Sequence, residues 1–179
     1  MVKVFIYPTN SLILADLVKR AGHEPLVVMN QVRDKVTTLG VDSPPLNITA
    51  EEPKTGLKYA AIEVPAGVRG RMSLMGPLTE QADIAIIVDG APADFGCSGC
   101  NRTNELTKFL VRDRLNRNDI LEIRYPETDD QTYTFVYQIL EFLKKYDTAG
   151  TADAAGADKA ENAAGADKAE DASGREAKA

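Results

Sequence analysis

The amino-acid sequence predicts an α/β domain of three layers with a largely parallel sheet of about five strands. Strand-like apolar runs alternate with helical periodicities along residues 1–147, and the connections are too long for hairpins. Large apolar side chains almost vanish after residue 147, so the predicted division is an α/β domain over 1–147 and a tail over 148–179.

Val2-Lys-Val-Phe-Ile-Tyr7 opens as a buried strand. Pro8-Thr-Asn-Ser11 breaks it, and Asn10 or Ser11 can cap a helix over 11–21. Leu12, Ile13, Leu17 and Val18 are the expected apolar face of that helix, and Gly22 ends it. Leu26-Val-Val-Met29 gives the next strand, which completes a βαβ unit with parallel pairing and a right-handed crossover. Asp42-Ser-Pro-Pro-Leu-Asn-Ile-Thr49 reads as an extended loop, because each proline disfavours helix in the residue before it. Residues 57–64 read as a strand, 65–76 as a glycine- and arginine-bearing loop, and 77–82 as a short helix. Ile84-Ala-Ile-Ile-Val88 is the clearest central strand. A helix over 103–116, a strand over 119–124 and a helix over 130–146 follow. The whole pattern is Rossmann-like.

The tail carries Ala-Ala-Gly-Ala-Asp-Lys-Ala-Glu at both 154–161 and 163–170. Such a composition buries too little apolar surface to offset the entropy of ordering, so the Ala/Asp/Lys/Glu-rich tail is expected to be disordered. The net charge of −6 divides evenly: 17 Lys and Arg against 20 Asp and Glu in 1–147, and 4 against 7 in the tail. That balance argues against a nucleic-acid or membrane-surface binder. No leader and no run of 18 apolar residues is seen, so a cytoplasmic location is expected.

The only two cysteines, Cys97 and Cys100, stand three apart in the loop between the 84–88 strand and the next helix. Sites in such sheets gather beyond the carboxyl ends of the strands. A dozen residues is also long for a strand-to-helix connection. Two thiols at this spacing can bind zinc, carry part of an iron–sulfur cluster, or cycle to a disulfide. A complete metal site needs about four ligands, so the pair is half a site. Asp89 and Asp94, a second copy or another protein can supply the rest. His23, the only histidine, belongs at the opposite end of the sheet and is read as a helix cap, not a ligand.

Arg102 follows the cysteines and is the expected functional cation beside them. Arg69 and Arg71, with Gly67 and Gly70, can wrap an anionic group by guanidinium forks and amides. The pattern is neither a Walker loop nor a Gly-x-Gly-x-x-Gly turn, so no nucleotide is predicted. Leu106, Phe109, Leu110 and Leu115 are expected in the core, as are Tyr133, Phe135, Tyr137 and Phe142. Arg112, Arg114 and Arg117 read as a solvated face. One misplaced histidine leaves no Ser/His/Asp set to build.

The opening segment through Val18 resembles methanogenesis marker protein 5, a small uncharacterised family of methanogenic archaea. So do Asp42-Ser-Pro-Pro-Leu-Asn-Ile-Thr49, Lys58-Tyr-Ala-Ala-Ile-Glu-Val-Pro65, Gly67-Val-Arg-Gly-Arg71 and Phe95-Gly-Cys-Ser-Gly-Cys-Asn-Arg-Thr-Asn-Glu105. The resemblance spans residues 1 to about 145. It implies an accessory protein that acts with other methanogenesis marker proteins or with methyl-coenzyme M reductase, in its maturation or activation. It places Cys97 and Cys100 in a family-like segment, where they are expected to bind iron–sulfur or another metal at a protein interface. Arg69, Arg71 and Arg102 are expected to hold an anionic group there. A dithiol redox enzyme and a non-catalytic binding module are the other readings. A homo-oligomer is compatible with all of them.

Overall fold

The structure, a computed structural model, describes residues 1–37, 51–92 and 101–147. The 42–49 loop, the cysteine segment and the tail after Asp147 lie outside the described residues. Strand β1 (Lys3–Tyr7), helix α1 (Leu12–Arg20) and strand β2 (Glu24–Leu26) form the βαβ opening, followed by helix α2 (Val28–Thr37). A short helix α3 (Glu51–Thr55) and a 3-10 turn (Gly56–Lys58) lead to helix α4 (Ala66–Gln81) and strand β3 (Ile84–Asp89). Helix α5 (Asn101–Arg114), strand β4 (Ile120–Arg124) and helix α6 (Asp129–Lys144) complete it. The sheet order is β2-β1-β3-β4 and every pair is parallel.

The central strands are buried on both faces, as parallel strands under helices must be. Alternate residues of each strand divide between two cores. Val4, Ile6, Ile86 and Val88 meet Leu14, Val18, Ile139 and Leu143 from α1 and α6. Phe5, Tyr7, Ala85 and Ile87 meet Leu78 and Val111 from α4 and α5. The three-layer α/β architecture is therefore as the sequence predicts.

Helix α1 starts under the Ser11 cap, whose hydroxyl accepts from the Leu14 amide at 3.3 Å. It ends in a Schellman turn: the amides of Gly22 and His23 donate to the carbonyls of Lys19 and Val18, and Gly22 takes φ +82°. His23 sits at the amino end of β2, 5% exposed. Its Nδ1 accepts from the Val2 amide at 3.4 Å, which leaves the Nε2 proton for the Leu143 carbonyl and the Asp147 carboxylate, each at 3.2 Å. The ring thus pins β1, β2 and the end of α6 together.

Four elements differ from expectation. The described residues contain four strands, because 57–64 is a 3-10 turn followed by bends, with Ala60 facing α4 and Ile62 exposed. The loop expected at 65–76 is helix, continuous with the expected 77–82 helix. Val68 and Met72, four apart, bury against Ala60 and gain Leu106 and Leu110 of α5, which outweighs the poor helix propensity of its glycines. Helix α1 buries Leu14, Ala15 and Val18, which turns Leu12 and Ile13 out to solvent. The second strand ends at Leu26, and Val28 and Met29 already belong to α2.

Tyr146 closes the floor of the fold. Its ring packs edge-on to Phe142 at 5.5 Å, and its hydroxyl donates to Asp119 Oδ1 at 2.8 Å. Burial, then that hydrogen bond, pushes the phenol up to about 12. The folded value exceeds the ordinary one near 10, so the stabilisation is complete below about pH 10 and is lost as pH rises through about 12. Tyr146→Phe should remove that part of the alkaline decline in unfolding free energy. Parallel decline of both proteins over the same range would contradict it.

Candidate functional site

In a 2-1-3-4 parallel sheet the chain turns in opposite directions from β1 and β3, and the carboxyl ends of these two strands border the fold's crevice. The backbone after β1 runs through the cis Tyr7–Pro8 bond to Thr9, whose carbonyl accepts from the Val28 amide at 3.2 Å. β3 ends at Asp89, and Gly90 leaves it at φ +72°. Helix α5 lies behind both and turns a polar stripe inward: Thr103, Asn104, Thr107 and Lys108 are all buried, followed by Val111. The spacing 103-107-111 with 104-108 is one helical face.

Lys108 is the centre of this stripe. It is 7% exposed, its ammonium lies 3.0 Å from Asp89 Oδ1 and 2.7 Å from Glu105 Oε1, and it stands over the Tyr7 ring at 5.3 Å. Burial alone would lower its pKa, and the hydrogen bonds that the ammonium donates to Glu105 and Asp89 more than offset that, so the pKa is raised. Lys108 is therefore a fixed cation at neutral pH, not a free amine nucleophile. Thr107 lies below, its hydroxyl donating to the Thr103 carbonyl at 2.7 Å and touching the sulfurs of Met72 and Met75 at 3.6 and 3.5 Å.

Helices α4 and α5 run side by side in the same direction. Thr107 meets Met72 and Arg114 meets the Thr79 carbonyl, both at a sequence separation of 35. Continued by one and a half turns, that register sets position 102 level with Gly67. The helices thus bring the backbone positions of Arg69, Arg71 and Arg102 to one end of one layer, at the carboxyl edge of the sheet. Their roles differ. Arg69 holds the preceding segment onto α4, its guanidinium donating to the carbonyls of Val64 at 3.1 Å and Pro53 at 3.5 Å. Arg71 is exposed. Arg102 opens the first turn of α5.

Cys97, Cys100 and Asp94 lie outside the described residues. Their described flanks do not: β3 ends at Asp89 and α5 begins at Asn101, and both face the crevice edge. Among the described residues no group of three or more His, Cys, Asp or Glu side chains is placed to hold a metal ion. Beside Asp89 a hollow of about 360 Å³ is lined by Gly90, Glu122, Ile123 and Arg124. No described helix is long and apolar enough to cross a membrane.

Sequence reasoning missed Lys108 and the threonines. Of the apolar residues expected in the core, Leu106 and Leu110 pack against the α4 cluster and Leu115 against the Val111 cluster, whereas Phe109 is 60% exposed. The signal was the four-residue spacing of Thr103, Thr107 and Val111. Likewise Phe135 and Phe142 of α6 are buried, but Tyr133 and Tyr137 are exposed. Arg112, Arg114 and Arg117 are exposed, as expected of a solvated face; Arg112 pairs with Glu122 at 2.6 Å and Arg114 donates to the Thr79 carbonyl.

Set beside known proteins, residues 2–146 match the family model described as "Uncharacterized protein conserved in archaea (DUF2112)". The chain is 56% identical over 144 residues to "Uncharacterized protein MJ0404" of Methanocaldococcus jannaschii, an alignment covering 80% of this chain and 95% of that protein. No solved structure matches.

Proposed function

The chain belongs to the archaeal DUF2112 family, and from that premise we propose that it is a methanogenesis accessory protein of the marker protein 5 type. In this reading it assists maturation or activation of methyl-coenzyme M reductase. Cys97 and Cys100 hold metal or an iron–sulfur cluster as half of a site, and another protein completes the coordination. Arg102 and Arg71 receive an acidic or anionic group of that partner. Arg69 braces the helix that carries them.

The observation that carries the reading is the position of the flanks. The chain leaves β3 and enters α5 at the carboxyl edge, where parallel α/β sheets place their sites, and the arginine positions gather at the same edge. A close relative from a methanogen supports the setting. The protein acts in the cytoplasm in this account.

Protein purified without oxygen should carry iron with sulfide, or zinc, and the Cys97→Ser, Cys100→Ser double variant should lose it. Thiol alkylation against pH separates the redox alternative. A single thiol of lowered pKa, with a reversible intramolecular disulfide and no metal, would replace metal binding by dithiol chemistry.

A further inference from the structure

β4 is the last strand of the sheet, and among the described residues no strand pairs with its outer edge. The Tyr125 amide donates to the Asp89 carbonyl at 2.9 Å, so residues 121, 123 and 125 bond inward to β3. By alternation, the backbone N–H and C=O groups of Glu122 and Arg124 point out of the sheet. Hollows of about 490, 360 and 430 Å³ follow one another along this strand, from Ile120 through Glu122 to Arg124 and Tyr125. An open edge is a template for another strand.

We infer that the edge is the docking surface for a second copy of this chain, paired antiparallel about Ile123. The strand's own pattern selects the occupant. With Ile123 opposite its symmetry mate, Glu122 faces the second copy's Arg124 and its Arg124 faces Glu122. These are the residues whose backbone groups point outward, so each pair exchanges both of its ladder hydrogen bonds. On the other face, half-buried Leu121 meets Tyr125 of the second copy. Arg124 is exposed, and its side chain lies along the edge beside Gly90. Moving the axis to Glu122 would set the two Glu122 carboxylates against each other, a destabilising arrangement. The result is a continuous eight-stranded sheet. Its two carboxyl edges point in opposite directions, so each copy keeps its own crevice.

The test is sedimentation of the full chain across a concentration series, with amide exchange at Glu122 and Arg124. Wild type should dimerise, with both amides protected in the dimer. Glu122→Arg and Arg124→Glu should each weaken self-association at least about tenfold, because each sets like charges opposite twice. Arg124→Glu leaves the Arg112–Glu122 pair intact and so serves as the better folded variant. An equimolar mixture of the two variants should dimerise again, since both cross-pairs then have opposite charge. A wild type that stays monomeric, or variants that dimerise like wild type, or a mixture that stays monomeric, overturns the inference. So does protection of the two amides only when a different protein is added.

Discussion

Lys108→Met is expected to cost about 2 kcal/mol of folding free energy at neutral pH, with the loss shrinking as the solution is acidified. Breaking a buried ion pair by removing one partner typically costs about 3–5 kcal/mol. Here the carboxylates of Asp89 and Glu105 are 50% and 57% exposed and regain water, so the lower figure applies. Without the ammonium, these two anions face each other at the mouth of the crevice. Protonating a carboxylate removes both the attraction to Lys108 in the intact protein and the repulsion left in the variant. Denaturant unfolding of both proteins between pH 7 and about pH 4 should show the gap closing toward the acid end. In the intact protein the raised lysine pKa has the opposite window. Its contribution is complete below the ordinary lysine value and is lost as pH rises through the higher folded one. A gap that stays constant on acidification would mean that the loss is packing against Tyr7, not charge.

Gly56→Ala is expected to cost about 3 kcal/mol, the upper range for overpacking. A Cβ at Gly56 would overlap the carbonyl oxygen, carbonyl carbon and Cα of Arg69, all backbone atoms of α4 that have no rotamer to yield. The segment from α3 to Pro65 is latched onto α4 there, by the Arg69 guanidinium, and by the Tyr59 ring against Gly76. Gly67 supplies the opposite sign. A Cβ at Gly67 meets nothing within 4 Å, so Gly67→Ala should stabilise by a few tenths to about 1 kcal/mol. Thermal unfolding of both variants checks the pair. Equal and small effects would mean that α3 and α4 are not in the close contact described.

The α/β plan is legible in the sequence because β1, α1, β2 and β3 obey local rules: a buried apolar run, a Ser cap, a Gly stop. Helix α4 is not legible. Two of its first five residues are glycine, it contains Pro77, and its stability comes from Ala60, Leu106 and Leu110, which are distant in sequence. The 57–64 segment fails for the matching reason, since Tyr59, Ala60 and Val64 pack on the α4 cluster while Leu57 and Ile62 are exposed. Hydrophobic periodicity finds Leu106, Leu110 and Leu115 of α5, but the buried stripe of Thr103, Asn104, Thr107 and Lys108 is polar and escapes it. That β3 and α5 flank the crevice edge is legible in the sequence, but the Lys108–Asp89–Glu105 cluster depends on two elements meeting. That convergence leaves no local pattern.

Anaerobic affinity capture of the full chain from a methanogen lysate, with metal and sulfide analysis of the eluate, tests the proposed role. Methyl-coenzyme M reductase or its maturation factors should elute with the wild-type chain together with bound metal, and Cys97→Ser, Cys100→Ser should lose the metal. A colourless, metal-free eluate in which wild type and the double variant retain the same partners would contradict it.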